Sequence, residues 1–174
     1  KTGDILAMAQ TPDFDLNDPK TPLSKSEQKK LESMSDSEKV TYWNKMWRNS
    51  LISDVYEPGS TFKLLTTAIA LEEDLAEIDD TYHCSGSVEV AGERIHCWRS
   101  SNPHGTQNLK QAVGNSCNPV FIKLATDIGI DLFYSHLDTF GITGTTGIDF
   151  PGEGTALLQS RDSAGPVGSP QWVS

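Results

Sequence analysis

The sequence has 174 residues, of which 36% are hydrophobic and 22% are charged, and its formal net charge is -10. This length suits one domain or part of a larger one. The negative charge disfavours nucleic acid and anionic membrane surfaces as partners, because both carry phosphates that would be repelled, so a neutral or cationic small substrate fits better.

The N-terminal part of the chain predicts a strand, a loop and an exposed helical region. The apolar segment GDILAMA, residues 3–9, predicts a strand, and the two prolines of TPDFDLNDP then predict a loop. Residues 24–47 combine a helical pattern with many charged residues of both signs, which is typical of a solvent-exposed, peripheral helical region. Apolar residues surround the next helix, from Ser60 to Glu73, so we expect it to be buried.

The rest of the chain mixes strands and helices without a regular alternation. SVEVAGERIHCW, residues 87–98, predicts a hairpin that turns at Ala91-Gly92. Helices are predicted on either side of the tripeptide SCN, and DLFYSHLDTFG predicts another that Asp131 caps and Gly141 ends. TGIDFPGEG predicts a loop. The expected fold class is α+β.

Ser60 and Lys63 form the first candidate for chemistry. Residues three apart share a helix face, so the two side chains would meet if Ser60 begins the helix, and Pro58-Gly59 supplies a turn to start it. A lysine surrounded by apolar residues can lose its proton and activate a serine, and the backbone N–H groups of a helix start can stabilise an oxyanion. An N-capping serine followed by a solvated lysine is the ordinary alternative. Ser26 and Lys29 have the same spacing in a solvated stretch, so spacing alone carries little weight.

Longer sequence segments around Ser60 and Lys63 make their spacing significant. RNSLISDVYEPGSTFKLL, followed further along by NSCNPVF, resembles the transpeptidase domain of class B penicillin-binding proteins, the serine acyltransferases that cross-link peptidoglycan. The family's Ser-x-x-Lys motif corresponds to Ser60 to Lys63, and its Ser-x-Asn motif to Ser116 to Asn118. TGDILAMAQTPDFDLNDP, HGTQNLKQAVGNSCNPVF and FGITGTTGIDFPGE are also similar to the family.

The resemblance implies a role for each motif residue. Ser60 would attack the penultimate D-alanine carbonyl of a stem peptide, Lys63 would act as its base, and Ser116 would relay the proton to the leaving amine. Asn118 would hydrogen-bond the donor peptide. Apart from the resemblance, Trp98 is a candidate to border the groove, and a packing role is the ordinary alternative. The implied fold is an antiparallel sheet flanked by helices, as in serine β-lactamases, and no cofactor is required for the chemistry.

The resemblance also implies partners and a location. Peptidoglycan stem peptides and β-lactams would react with Ser60, and a membrane glycosyltransferase would work alongside, at the extracytoplasmic face of the bacterial membrane. We expect residues 1–174 to be a partial transpeptidase domain whose membrane anchor and C-terminal Lys-Ser/Thr-Gly strand lie elsewhere. Lys1-Thr2-Gly3 has the letters of that third motif but precedes the other two motifs, so we do not expect it to serve as that motif. A serine β-lactamase and a β-lactam-sensing domain without turnover are the alternatives.

A second candidate site combines cysteine and histidine. The predicted hairpin would bring Cys84 and Cys97 together, with His104 nearby and Asp80 as a possible fourth ligand, and zinc prefers such donors. A disulfide and two free thiols are the alternatives. Some family members from anaerobic Gram-positive bacteria resemble this region closely, histidines included, and carry a metal there. Cys117 is predicted to be a buried structural residue, and His83 and His96 to be exposed.

Overall fold

The computed structural model describes residues 3–90 and 92–158. They form two compact units, one of residues 3–55 with 147–155, and the other of residues 56–146 with 156–158. None of the helices in this part of the chain combines the length and the apolar character needed to cross a membrane. The terminal segments that carry Lys1-Thr2 and GSPQWVS lie outside the described residues.

Helices dominate the first unit. The order is α1 (Lys25–Glu32), α2 (Asp36–Trp47) and the short α3 (Ser50–Ser53). A reciprocal capping box between Ser35 and Glu38 begins α2. Neither α1 nor α2 has a buried residue, which confirms the predicted solvated helical region. The segment 147–155 is irregular, as predicted, and Gly152 accepts a hydrogen bond from the Ser53 hydroxyl at 2.6 Å.

The predicted strand at residues 3–9 is wrong, because this segment has no regular structure. A strand requires a ladder of backbone hydrogen bonds, and the β-pairing described in this unit is an isolated bridge between Phe14 and Pro22. Side-chain contacts at its C-terminal end hold it instead: Asn49 Nδ2 donates to Met8 Sδ at 3.4 Å, and the adjacent Gln10 amide donates to Arg48 O at 2.9 Å. The apolar residues suggested a strand with one buried face, but they carried no information on whether a partner strand was available to pair with it.

The second unit combines helices with two small antiparallel sheets. Its elements are a 3-10 helix (Gly59–Phe62), α4 (Lys63–Glu72), β1 (Thr81–Cys84), β2 (Ser87–Val90), β3 (Glu93–His96), β4 (Gly105–Asn108), α5 (Leu109–Gly114), α6 (Asn118–Ile128) and α7 (Ile130–Thr139). The predicted hairpin is confirmed as the β2–β3 pair, and β1 pairs with β4. The α+β class is therefore confirmed.

The core of this unit lies between α4, α6 and α7. Ile69 and Ala70 of α4 are fully buried against Leu124 of α6 and Leu137 of α7. The prediction of a buried α4 holds for one face only, because Leu64 is 59% exposed. Gly129, not Asp131 as predicted, is the N-cap of α7, and its φ of 76° suits the turn between α6 and α7 because glycine has no Cβ.

Candidate active site

Ser60 lies in the first turn of a helical segment that is built in two stages. Pro58 has a φ of -68°, and Gly59 follows with a φ of 53°, a left-handed value that glycine adopts without strain. The chain then makes the 3-10 turn Gly59–Phe62 before α4 begins at Lys63. This turn leaves Ser60 exposed at the helix start and half-buries Lys63 one turn later.

The Ser-x-Asn segment reaches the same place from the other side. α5 ends at Gly114 and α6 begins at Asn118, so Ser116 lies in the tight turn between two helices. Its φ of 48° makes it one of the two non-glycine residues with positive φ in the described chain. The Ser116 hydroxyl donates to Ser60 Oγ at 2.9 Å and accepts from Lys63 Nζ at 2.9 Å.

Lys63 is the centre of this hydrogen-bond network. Its Nζ lies 2.6 Å from Asn118 Oδ1, 3.1 Å from Ser116 O and 3.4 Å from Ser60 Oγ. Burial lowers the pKa of the Lys63 amine from its usual value, and the nearby Cys117 and Cys97 thiols oppose that shift. The Phe121 ring, with its centroid 5.5 Å from Nζ, adds to the apolar surroundings.

The partners of Lys63 suit a neutral amine. Asn118 Oδ1 and Ser116 O can only accept hydrogen bonds, and a neutral amine has two N–H donors for them. Its lone pair is then free to accept a proton from a hydroxyl, either directly from Ser60 or through Ser116. The second route uses the same two contacts of 2.9 Å with both hydrogen bonds reversed, so that Ser60 donates to Ser116 and Ser116 donates to Lys63. The arrangement can therefore remove the Ser60 proton and return it to a group bound beside Ser116.

The pair with identical spacing, Ser26 and Lys29, has none of these features. It lies on α1, which has no buried residue, and the Ser26 hydroxyl interacts with Ser24 Oγ at 2.8 Å. The helical geometry is shared, but no second segment reaches Lys29 in the described contacts.

Asn118 and Trp98, the predicted substrate-binding residues, lie beside the network. Asn118 Nδ2 donates to His96 O at 3.2 Å, which orients its Oδ1 toward Lys63. Trp98 is 68% exposed, and its Nε1 donates to Asn115 O at 2.8 Å. An exposed, fixed aromatic ring next to the turn that carries Ser116 is able to line a peptide groove.

A cluster of thiols and an imidazole lies directly behind this turn. The ligand atoms of Cys84, Cys97, Cys117 and His104 are all within 4.8 Å of one another, and the three cysteines are free thiols. The fourth ligand-type side chain in this cluster is Cys117, whereas the predicted Asp80 lies outside it. Asp80 is exposed, and its carboxylate accepts a hydrogen bond from Glu77 N at 2.8 Å. The predicted burial of Cys117 and exposure of His83 and His96 are confirmed.

The distances in the cluster and the pKa shifts of His104 and Cys84 fit a tetrahedral metal site, whereas burial raises the pKa of Cys117 to about 12. Cys97 Sγ lies 3.4 Å from His104 Nδ1, and tetrahedral zinc separates such atoms by roughly 3.6 Å. Burial and the Arg99 cation lower the pKa of His104, which favours the neutral imidazole that binds metals. Burial raises the pKa of Cys84, but hydrogen bonds from the backbone of Gly86 and His104 and from the other two thiols outweigh it, so the pKa is lowered overall.

Known proteins share this architecture. The family model of the penicillin binding protein transpeptidase domain matches residues 1–169. The chain belongs to this family. Stage V sporulation protein D of Bacillus subtilis is 38% identical over 168 residues, which are 96% of this chain and 23% of that protein. Peptidoglycan D,D-transpeptidase MrdA of Acinetobacter baumannii is 27% identical over 164 residues, which are 93% of this chain and 23% of that protein.

Solved structures of penicillin-binding proteins agree with the assignment. The D,D-transpeptidase domain of a peptidoglycan glycosyltransferase from Eggerthella lenta is 29% identical with a TM-score of 0.59, covering 72% of this chain and 31% of that one. Pseudomonas aeruginosa PBP2 is 24% identical with a TM-score of 0.71, covering 92% and 35%, and supports the fold alone. The predicted resemblance to class B penicillin-binding proteins is confirmed, and this chain spans less than a quarter of the length of the two relatives above.

Proposed function

We propose that this chain carries the acylation centre of a peptidoglycan D,D-transpeptidase. The observation that supports it best is the hydrogen-bond network joining Ser60, Lys63, Ser116 and Asn118, in which Lys63 Nζ has two obligate acceptors and two hydroxyl neighbours. The names of relatives such as the D,D-transpeptidases MrdA and PbpA support the same reaction class.

In the proposed reaction Ser60 Oγ attacks the carbonyl carbon of the penultimate D-alanine. The Ser60 proton passes to Lys63, and a C–O bond forms as the carbonyl becomes an oxyanion. Collapse breaks the C–N bond, and Ser116 delivers the proton from Lys63 to the departing D-alanine amine. An amine of a neighbouring stem peptide then attacks the acyl-Ser60 ester, gives up a proton to the same network and restores the Ser60 hydroxyl.

Two residues bind rather than react in this scheme. Asn118 has one amide hydrogen committed to His96 O, and its second Nδ2 hydrogen is able to reach a donor-peptide carbonyl. Trp98 offers an exposed ring beside Asn115 as an apolar wall. β-Lactams, whose strained amide resembles the scissile bond, would acylate Ser60 through the same contacts.

Zinc is the proposed occupant of the cluster formed by Cys84, Cys97, Cys117 and His104. Three thiolates and one imidazole form a closed structural donor set, and such a site contributes folding free energy. When bound, the ion supplies a structural cross-link between β1, the end of β3, the start of β4 and the turn before α6. The chemistry at Ser60 requires no cofactor.

The wider setting follows from the family. We propose action at the extracytoplasmic face of a bacterial membrane, in company with a glycan-polymerising glycosyltransferase, and the neighbour from Eggerthella lenta is itself named a peptidoglycan glycosyltransferase. The net charge of -10 leaves nucleic acid an unfavourable partner.

The deciding experiment incubates the full-length protein with a fluorescent penicillin. We expect a stable covalent adduct that Ser60→Ala abolishes and that Ser26→Ala, the control of identical spacing, leaves unchanged. Transfer of a D-alanine-terminated peptide to an amine acceptor then distinguishes a transpeptidase from a sensor. A rapidly hydrolysed adduct would instead identify a β-lactamase, and an undiminished adduct in the Ser60 variant would overturn the proposal.

A further inference from the structure

Ser116 holds a backbone conformation that its own side chain disfavours. Its φ of 48° lies in the left-handed region, where Cβ crowds the following carbonyl oxygen. A serine remains there only when surrounding contacts determine the conformation. Backbone bonds from Ser116 N to Val113 O at 3.0 Å and from Cys117 N to Ala112 O at 3.1 Å supply part of that constraint. These bonds close the end of α5, but they leave the side chains on either side of Ser116 to be fixed by other groups.

Gln107 provides a contact to one of those side chains, that of Asn115. It lies on β4 opposite Tyr82, and it is only 4% exposed. Its Oε1 accepts a hydrogen bond from Asn115 Nδ2 at 2.8 Å. Gln107 therefore holds the side chain of the residue that directly precedes Ser116.

Burying a glutamine at this position costs folding free energy, so its presence there points to a functional role. Burying an amide without full hydrogen bonding disfavours folding, and Gln107 Nε2 makes no hydrogen bond of normal geometry among the described residues. The side chain faces the interior of the unit, where leucine or methionine would pack without that cost.

We propose that Gln107 is a positioning residue for Ser116, because its buried side chain fixes Asn115, the residue directly before the strained turn. The inference rests on the proposed function, since it assigns Gln107 to the placement of the proton relay in that reaction. Ser116 Oγ has to remain 2.9 Å from both Ser60 Oγ and Lys63 Nζ. Small displacements of such a group have large kinetic effects, since about 1 Å of misplacement can cost roughly 100-fold in rate.

The test compares Gln107→Leu with wild type in the full-length protein. Acylation by fluorescent penicillin is followed over a range of concentrations, which separates the initial binding constant from the first-order acylation rate. We expect the acylation rate to fall about 10- to 100-fold, while the binding constant changes by less than about threefold, because Gln107 does not contact the bound ligand. A residue with a merely structural role would reduce the amount of active protein and leave the rate of the remainder unchanged.

Two further variants make the outcome decisive. Asn115→Ala removes the same hydrogen bond from the partly exposed side, and the double variant should be no slower than Gln107→Leu alone if both act through one contact. Leu137→Ala, a core change in α7, is the stability control and should retain the wild-type acylation rate per folded molecule. The inference is overturned if Gln107→Leu acylates at the wild-type rate, or if the effects of Gln107→Leu and Asn115→Ala are additive. The proposed function fails separately, if wild type forms no adduct or Ser60→Ala forms one.

Discussion

Replacing Lys63 with arginine separates the basicity of this side chain from its charge. Arginine keeps a cation near Asn118 Oδ1 and Ser116 O, but its guanidinium cannot lose a proton in proteins. The variant therefore lacks the lone pair that accepts the Ser60 proton in the proposed reaction. Lys29→Arg is the matched control, because Lys29 stands at the same spacing from Ser26 on the exposed helix α1.

The size of the effect follows from the contacts of Lys63. Without its amine, Ser60 keeps only the Ser116 hydroxyl as a hydrogen-bond neighbour in the network, at 2.9 Å, and a neutral hydroxyl is a very weak base. General bases typically contribute about 10²- to 10⁴-fold in rate, which corresponds to roughly 3 to 5 kcal/mol in the activation free energy. We expect a loss of acylation rate in that range.

The pH dependence gives a second, independent measurement. Acylation requires the unprotonated amine, so the wild-type rate should rise with pH and level off once Lys63 has lost its proton. Since burial lowers the pKa of Lys63, the plateau should be reached below the value of about 10.4 that is usual for lysine. The arginine variant should lack this rise. Stopped-flow acylation by fluorescent penicillin between pH 6 and 10 measures both, and a Lys63→Arg rate within threefold of wild type, with the same pH profile, would refute the reasoning.

Three further changes test the metal cluster and the fold. Cys84→Ser should lower both the zinc content, measured by mass spectrometry, and the melting temperature of the full-length protein, and a chelator should release thiols from wild type without added reductant. Ile69→Ala should destabilise the second unit by about 2 to 5 kcal/mol in denaturant unfolding, because it leaves a cavity at a fully buried site. Ser35→Ala should cost about 1 kcal/mol, seen as faster hydrogen exchange at the start of α2, because the capping box is lost. Equal exchange in both proteins would contradict that role.

Local signals in the sequence predicted the elements that depend on local contacts. The hairpin over residues 87–96 needs only alternation and a turn, and it is found where expected. The helices α1 and α2 need only propensity and charge, and both fall within the predicted helical region 24–47, although the break between them was not predicted. The segment 3–9 failed because a strand is defined by a partner elsewhere in the chain, and its apolar residues carry no information about that partner. Asp131 failed as a cap because Gly129, two residues earlier, already turns the chain into α7.

The residues of the metal cluster were also predictable from the sequence only in part. Cys84 and Cys97 flank the hairpin, and His104 follows closely, so their proximity was open to prediction from the sequence. Cys117 joins them only because α6 packs against β1, β2 and β3, which is a tertiary contact. The sequence feature that could have indicated this role was the position of Cys117 between Ser116 and Asn118. Because those two flanking residues have fixed positions in the motif, they also fix the orientation of the cysteine side chain. Gln107 gave no such signal, since a glutamine in a polar strand normally indicates a solvent-facing position.

Two serine-lysine pairs in one chain show what turns a spacing into a site. Ser26 and Lys29 share a helical face with solvent around them, and no second segment covers the lysine there in the described contacts. Lys63 differs because the segment 116–118 covers it and presents two oxygens that only accept and one hydroxyl that also donates. The strained turn at Ser116 is what brings all three into reach. Reactivity at Ser60 is thus a property of the second segment as much as of the first, and changes confined to residues 107–118 should alter it without any substitution in the Ser-x-x-Lys motif.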